Sequence, residues 1–247
     1  MPESLPFFLF AVALGAYIQT VTGFAFGIFL LASVTLFHLA SIPLTATALN
    51  IMNLALASVV VLPGLRKVDY RILWQFLLGM MPAMAVGVVA LSYLNANAQQ
   101  VLKILLGFVI LSGGLVLAWR PDPLKSRSGA TGFVVAGAIG GFFGGLFSVG
   151  GPPVVYQLYR QPLMLSTIRI TLLTLFSISS VGRLGMVAVD GGLTMEVIKV
   201  GVISVPVVMV AAWIGRRFPP PVSERTLRRF AFLLLMFSGA LVIFTAL

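Results

Sequence analysis

Eight runs of mostly apolar residues, at 5–37, 42–62, 72–93, 101–118, 129–159, 163–187, 194–215 and 226–246, take up nearly the whole chain. A membrane-spanning helix needs ~20 predominantly apolar residues. The sequence has 247 residues, 60% hydrophobic and only 9% charged, too few charges to cover the surface of a soluble domain of that size. The loops between runs are too short to fold alone. The chain therefore reads as an all-α, polytopic integral membrane protein. The start, MPESLPFF, lacks a basic n-region and a small-residue cleavage site, so the first run is expected to stay in the mature protein.

Two of the runs cannot be simple spans. A straight helix over 5–37 would be ~50 Å long at ~1.5 Å per residue, against a hydrocarbon core ~30 Å thick. This run is interrupted at Thr22-Gly23-Phe24-Ala25-Phe26-Gly27, and the run 129–159 at Ser148-Val149-Gly150-Gly151. Interior Gly costs a helix ~1 kcal/mol and interior Pro ~3 kcal/mol, whereas Pro suits a helix's first turn. The second break therefore predicts a new helix from Pro152. Gly140, Gly141, Gly144 and Gly145 before it suit close helix packing. A broken helix at membrane depth is tolerated only where its freed backbone is buried in protein or lines a wet cavity, and in transporters such breaks mark the substrate site.

The order of features repeats. At an offset of 124 residues Gly27 falls on Gly151 and Pro82 on Pro206; at 125, Gly114 falls on Gly239. This divides the chain into membrane repeat 1 (1–118), a basic linker (119–128) and membrane repeat 2 (129–247). Charge then sets the relative orientation of the repeats. If both broken runs fold back on themselves, as re-entrant hairpins or as paired short spans, each repeat has odd parity and the two are inverted. One side then collects 13 of the 16 basic residues, in the loops around Arg66, Lys67 and Arg71, Arg120 to Arg127, Arg160 to Arg169, and Arg216 to Arg229. Lys and Arg in short loops mark the cytoplasmic side, which puts both termini outside the cytoplasm. The net charge of +10 is thus topogenic and implies no nucleic-acid partner.

The chemistry available within the spans is sparse. The carboxylates Glu3, Asp69, Asp122, Asp190, Glu196 and Glu224 all lie in or beside loops. No intramembrane acid/base pair, metal-ligand cluster or cofactor motif stands out, there is no Cys, and the one His, His38, sits in a turn. The reading is a transporter and not an enzyme. Helix N-termini present N–H donors and partial positive charge, which suit an anion. Breaks at Gly23–Gly27 and Gly150–Pro152, from opposed repeats, would aim such ends at one midplane cavity, which favours a small anion as cargo. Gln19 and Thr22 flank the first break; Ser148 and Gln157 flank the second. These side chains are placed to cap freed backbone, to contact cargo, or both. Asn50 and Asn53 share one helix face, suited to bonding a neighbouring helix or to cargo. Arg169 reads as a snorkelling or anion-contacting arginine, and Arg183, close to Asp190, as half of an ion pair in preference to a ligand.

The Gly-broken first run, the stretch GGFFGGLFSVGGPPVV and the C-terminal LRRFAFLLLMFSGALVIF together resemble the TauE/SafE family of membrane anion exporters. The resemblance covers nearly the whole chain. The family's GGLxGxGGGP-like stretch reads here Gly144 to Pro152, with Ser148 where Gly is usual and one Gly fewer before the Pro. An Arg-Ala-Thr-Ser stretch of the family appears as Arg169-Ile170-Thr171-Leu172. The resemblance implies alternating-access export of sulfite, sulfoacetate or a related organosulfonate across a bacterial plasma membrane, with Arg169 and Thr171 as cargo contacts. Uptake, another small anion such as a carboxylate or oxyanion, and a non-transport scaffold remain open alternatives, as does assembly into a homo-oligomer.

Overall fold

The computed structural model describes residues 4–22, 24–118, 124–218, 236, 239–240 and 242–244. Gly23, the first part of the linker, Arg225 to Arg229 and most of the last apolar run lie outside these. Among the described residues all regular structure is helical. The first half contains α1 (Leu5–Thr22), α2 (Phe26–Leu36), α3 (Ile42–Val60), α4 (Tyr70–Asn97) and α5 (Gln99–Ala118), with a tight 3-10 turn, Leu62–Lys67, between α3 and α4. The second half contains α6 (Ala130–Phe147), α7 (Gly151–Tyr159), α8 (Leu165–Val189) and α9 (Met195–Arg217). Of these, α3, α4, α6, α8 and α9 are long and apolar enough to cross a membrane. The outer faces carry large exposed apolar side chains such as Trp74, Leu78, Val202 and Trp213, the expected surface of a chain solvated by lipid.

Both broken runs are hairpins. A Cβ built on Gly15 of α1 would lie 3.3 Å from Phe29 of α2, and one on Gly140 of α6 would lie 2.7 Å from Val154 of α7. In a continuous helix residues 14 apart would stand ~21 Å apart, so each second arm runs back along its first. The two contacts correspond at an offset of 125 residues. The arms differ in length: α1 and α6 each have 18 residues, but α2 has 11 and α7 only 9. At ~1.5 Å per residue the second arms reach ~16 and ~14 Å, half a bilayer core.

The remaining helices pack in matched pairs. α4 lies on α6 as α9 lies on α1, α3 lies on α9 as α8 lies on α4, and α3 meets α8 between them. Both α4 and α9 carry an internal proline, Pro82 and Pro206. The tightest seam is α4 against α6. Gly137, Gly141 and Gly145, one turn apart on α6, sit directly on the backbone carbonyls of Phe76, Met80 and Met84. Without a hydrophobic drive between helices in lipid, such close backbone approach is what holds them. The sequence expectation of close packing is met by Gly141 and Gly145 here and by Gly140 against the α7 arm, while Gly144 makes only ordinary contacts with Met84 and Gly150.

Loops sort onto two faces. On one, Arg127 pairs with Asp69 at 3.1 Å, Arg216 Nη1 donates to Val59 O at 2.9 Å, and Leu124 N–H donates to Arg160 O at 2.8 Å. The 66–71 turn, the linker, the α7–α8 turn and the end of α9 therefore share a face, as the charge pattern requires. On the other, Ser92 Oγ donates to Asp190 Oδ2 at 2.6 Å, joining the ends of α4 and α8.

Candidate functional site

The tips of the two hairpins meet. A Cβ on Gly27 would stand 2.7 Å from both Leu49 Cδ2 and Val149 Cγ2, so only glycine lets the α2 tip reach the α6–α7 tip and α3. Around this junction is a cavity of about 40 Å³, lined by both tips and by α3, α4 and α8. That is room for a few waters or one small polyatomic ion, since a single water needs ~10–15 Å³ measured in this way.

The sequence places polar groups there one by one. Ala25, just before α2, is left-handed (φ 91°) and offers no side-chain cap. Gln19, one turn before the end of α1, fills that role: its Oε1 accepts from Phe26 N–H at 3.1 Å. Its Nε2 donates to Asn53 Oδ1 at 3.2 Å, tying the break to α3. On the other tip Ser148 ends α6 in the left-handed region (φ 57°), costly for a residue with a Cβ. Its hydroxyl accepts from Asn50 Nδ2 at 2.9 Å and donates to Ala46 O. At the start of α7, Pro152 and Pro153 remove two N–H groups, which leaves Gly151 the free donor of that first turn.

The strongest charge in the cavity is Arg183, on α8, only 1% exposed. Its Nε donates to Gly145 O at 2.9 Å and its Nη1 to Ala46 O at 3.3 Å and Thr47 Oγ1 at 3.5 Å. Gly145 O is one of the last carbonyls of α6, which lack helical partners because the chain breaks at Ser148. The guanidinium is thus held at the negative end of a helix. Among the described residues its Nη2 has no hydrogen-bond partner and no carboxylate lines this cavity. The expected Arg183–Asp190 pair is corrected here: Asp190 is exposed at the end of α8 and takes the Ser92 hydroxyl.

Of the residues expected from sequence to form the site, Gln19, Gly27, Asn50, Asn53, Ser148, Gly150 and Gly151 line this cavity. Pro152 stands behind Gly151 in the first turn of α7. Thr22 ends α1, its side chain and Gly23 lying outside the described residues. Gln157 does not line the cavity and is buried against Gly132 of α6. Arg169 and Thr171 do not line the cavity: Thr171 is fully buried and its Oγ1 accepts from Asp69 N–H at 3.1 Å, beside the basic turn. Sequence reasoning missed Met80, Met84, Phe176, Ser179 and Ser180 as lining, and ranked a ligand role for Arg183 behind the ion pair with Asp190.

Comparison with known proteins adds an independent line. The family described as Sulfite exporter TauE/SafE matches residues 7–242. A protein of Cupriavidus necator described as a probable sulfite/organosulfonate exporter TauE is 42% identical over 227 residues, covering 92% of this chain and 88% of that one. No solved structure matches the chain.

Proposed function

We propose that this chain, which belongs to the sulfite exporter TauE/SafE family, carries sulfite or a small organosulfonate such as sulfoacetate out of the cytoplasm of a bacterial cell. The observation that carries this reading is Arg183: a buried guanidinium whose Nη2 has no partner, in a cavity without a carboxylate, among the described residues. An uncompensated buried cation is expensive, and a compact anion supplies the missing charge and hydrogen-bond acceptors. Gln19, Asn50, Asn53 and Ser148 hold the two hairpin tips around it, and the Gly151 N–H at the start of α7 adds a donor. Gly27 and Gly150 let the tips close on the cavity.

The two hairpin-led halves, residues 1–118 and 129–247, act as inverted repeats joined by the linker 119–128, and rock against each other around the cavity. The face with Arg66, Lys67, Arg127 and Arg216 is cytoplasmic by the distribution of basic residues, so both termini lie outside. Arg169 and Thr171 serve the cytoplasmic rim, where Thr171 steadies the basic turn through Asp69. Efflux of radiolabelled sulfite from vesicles reconstituted with the purified protein tests the reading. Release above protein-free vesicles, competed by sulfoacetate, is expected. Release at the protein-free rate for both anions refutes it.

A further inference from the structure

A second chamber of about 430 Å³ lies on the face opposite the basic loops. Three helices that line the central cavity, α3, α4 and α8, also line this one, together with the start of α9. Along α3 the lining runs from Asn53 and Asn50 in the central cavity to Thr47 and Leu44 in the second chamber. Along α4 it runs from Met80 and Met84 to Val88 and Leu91, and along α8 from Ser180 and Arg183 to Val187 and Asp190. Each step is three or four residues, one helical turn, so each helix presents one continuous stripe to both spaces. The two spaces lie in succession along these three helices.

A contact between α3 and α8 lies at their boundary. Thr47 lines the outer chamber and Arg183 the central cavity, and Arg183 Nη1 reaches Thr47 Oγ1 at 3.5 Å and Ala46 O at 3.3 Å. Thr47 is fixed from below, its hydroxyl donating to Pro43 O at 2.9 Å. Beyond this bar the charge changes sign: the outer chamber holds Asp190 and Glu196, and the central cavity holds Arg183.

We propose that the second chamber is the vestibule through which the anion leaves, with the Arg183–Thr47–Ala46 contact as its gate. The proposal rests on the anion-transport reading above and deepens it. While the anion occupies the cavity it competes with Ala46 O and Thr47 Oγ1 for the guanidinium, so occupancy loosens the bar that blocks its exit. Once past the bar, the anion meets carboxylates, with no arginine lining the chamber among the described residues. Like charges within a Debye length, ~8 Å at physiological salt, raise the anion's free energy there, so it passes through without lodging.

The chain contains no cysteine, so single cysteines report the route without background, and their labelling is independent of which cargo is carried. Leu91→Cys and Val187→Cys sit in the vestibule, and Ser180→Cys behind the bar. With a membrane-impermeant trimethylammonium methanethiosulfonate, the first two are expected to label at least ~10-fold faster from the face opposite Arg66 than from the Arg66 face. Ser180→Cys is expected to label at least ~10-fold slower than Leu91→Cys, and to gain most of that factor from the same face when combined with Thr47→Gly. Asp190→Asn with Glu196→Gln should lower the preference of Leu91→Cys for this cationic reagent over its sulfonate analogue several-fold. Equal labelling from both faces, faster labelling from the Arg66 face, or a Ser180→Cys rate indifferent to Thr47→Gly overturns the proposal. If Leu91→Cys does not fold, Val187→Cys carries the same comparison. Loss of sulfite efflux with the labelling pattern intact would reject the cargo and leave the route standing.

Discussion

Two adjacent glycines at the second hairpin tip have opposite surroundings, and replacing each with alanine separates steric from conformational roles. A Cβ on Gly150 would fall on the carbonyl oxygen of Gly140, with Gly140 C at 2.9 Å and Cα at 3.4 Å. All three are backbone atoms of α6, which is itself locked against α4, so nothing there yields cheaply. The backbone of Gly150 (φ −91°, ψ 9°) is open to alanine, so its cost is steric, not torsional. Overpacking of this kind costs ~1–3 kcal/mol. For a chain of this size ~1 kcal/mol moves the melting temperature by ~2–4 °C, so Gly150→Ala should melt about 2–12 °C lower in detergent, combining those ranges. Next to it, a Cβ on Gly151 meets nothing closer than 3.9 Å, from Phe176, Phe24 and Val155. Gly151 is the first residue of α7, where alanine is the better helix former by up to ~1 kcal/mol. Gly151→Ala should therefore melt at the wild-type temperature or slightly above. Equal losses in the two variants, or a larger loss in Gly151→Ala, would refute the close crossing of α6 and α7 at the tip.

Three further outcomes follow from the same contacts. Ser148→Ala keeps the left-handed backbone but loses the bonds to Asn50 and Ala46, so it should cost ~1–3 kcal/mol, whereas Ser148→Gly regains part of this by removing ~1 kcal/mol of left-handed strain; thermal melts ranking glycine above alanine check it. Gly141→Ala puts a methyl on Met80 O in the α4–α6 seam, and a melt lowered by ~1–3 kcal/mol is expected. Asp69 both pairs with Arg127 and accepts from Ile72 N–H at the start of α4; Arg127 is 53% exposed, so Arg127→Ala should cost under ~1 kcal/mol, and Asp69→Ala ~1 kcal/mol more through the lost cap, a difference that paired melts resolve.

The hairpin breaks were legible in the sequence because their causes are local. Gly and Pro disfavour a helix wherever they stand, and α6 ends and α7 begins within a residue of the expected points. Which loops share a face was legible because loop charge records membrane orientation, and the Arg127–Asp69 pair joins two loops that the charge pattern had grouped. The identity of the central arginine was not. Arg169 and Arg183 lie 14 residues apart on α8, close to four turns, and so project from nearly the same side of the helix. Periodicity cannot choose between them, and hydropathy is no guide in a helix with Ser and Thr spread from Ser166 to Ser180. The choice is made by depth and by the C-terminus of α6, whose unpaired Gly145 carbonyl recruits Arg183 across 38 residues of sequence. That demand was implicit in the break at Ser148, since a helix that ends inside the membrane needs donors for its last carbonyls. Gln19 is the same lesson at the first tip: its role depends on the α2 arm folding back far enough to bring Phe26 N–H to it.

Thermal stability of the purified protein against a panel of anions tests the central claim most directly. A ligand at ~100 times its Kd adds ~2.7 kcal/mol to the folded state, or roughly 5–10 °C here. Sulfite or sulfoacetate should raise the melting temperature of the wild type, and chloride should not. Arg183→Gln should abolish that increase while Arg169→Gln retains it. An increase that survives in Arg183→Gln, or one lost only in Arg169→Gln, would contradict an anion site built around Arg183.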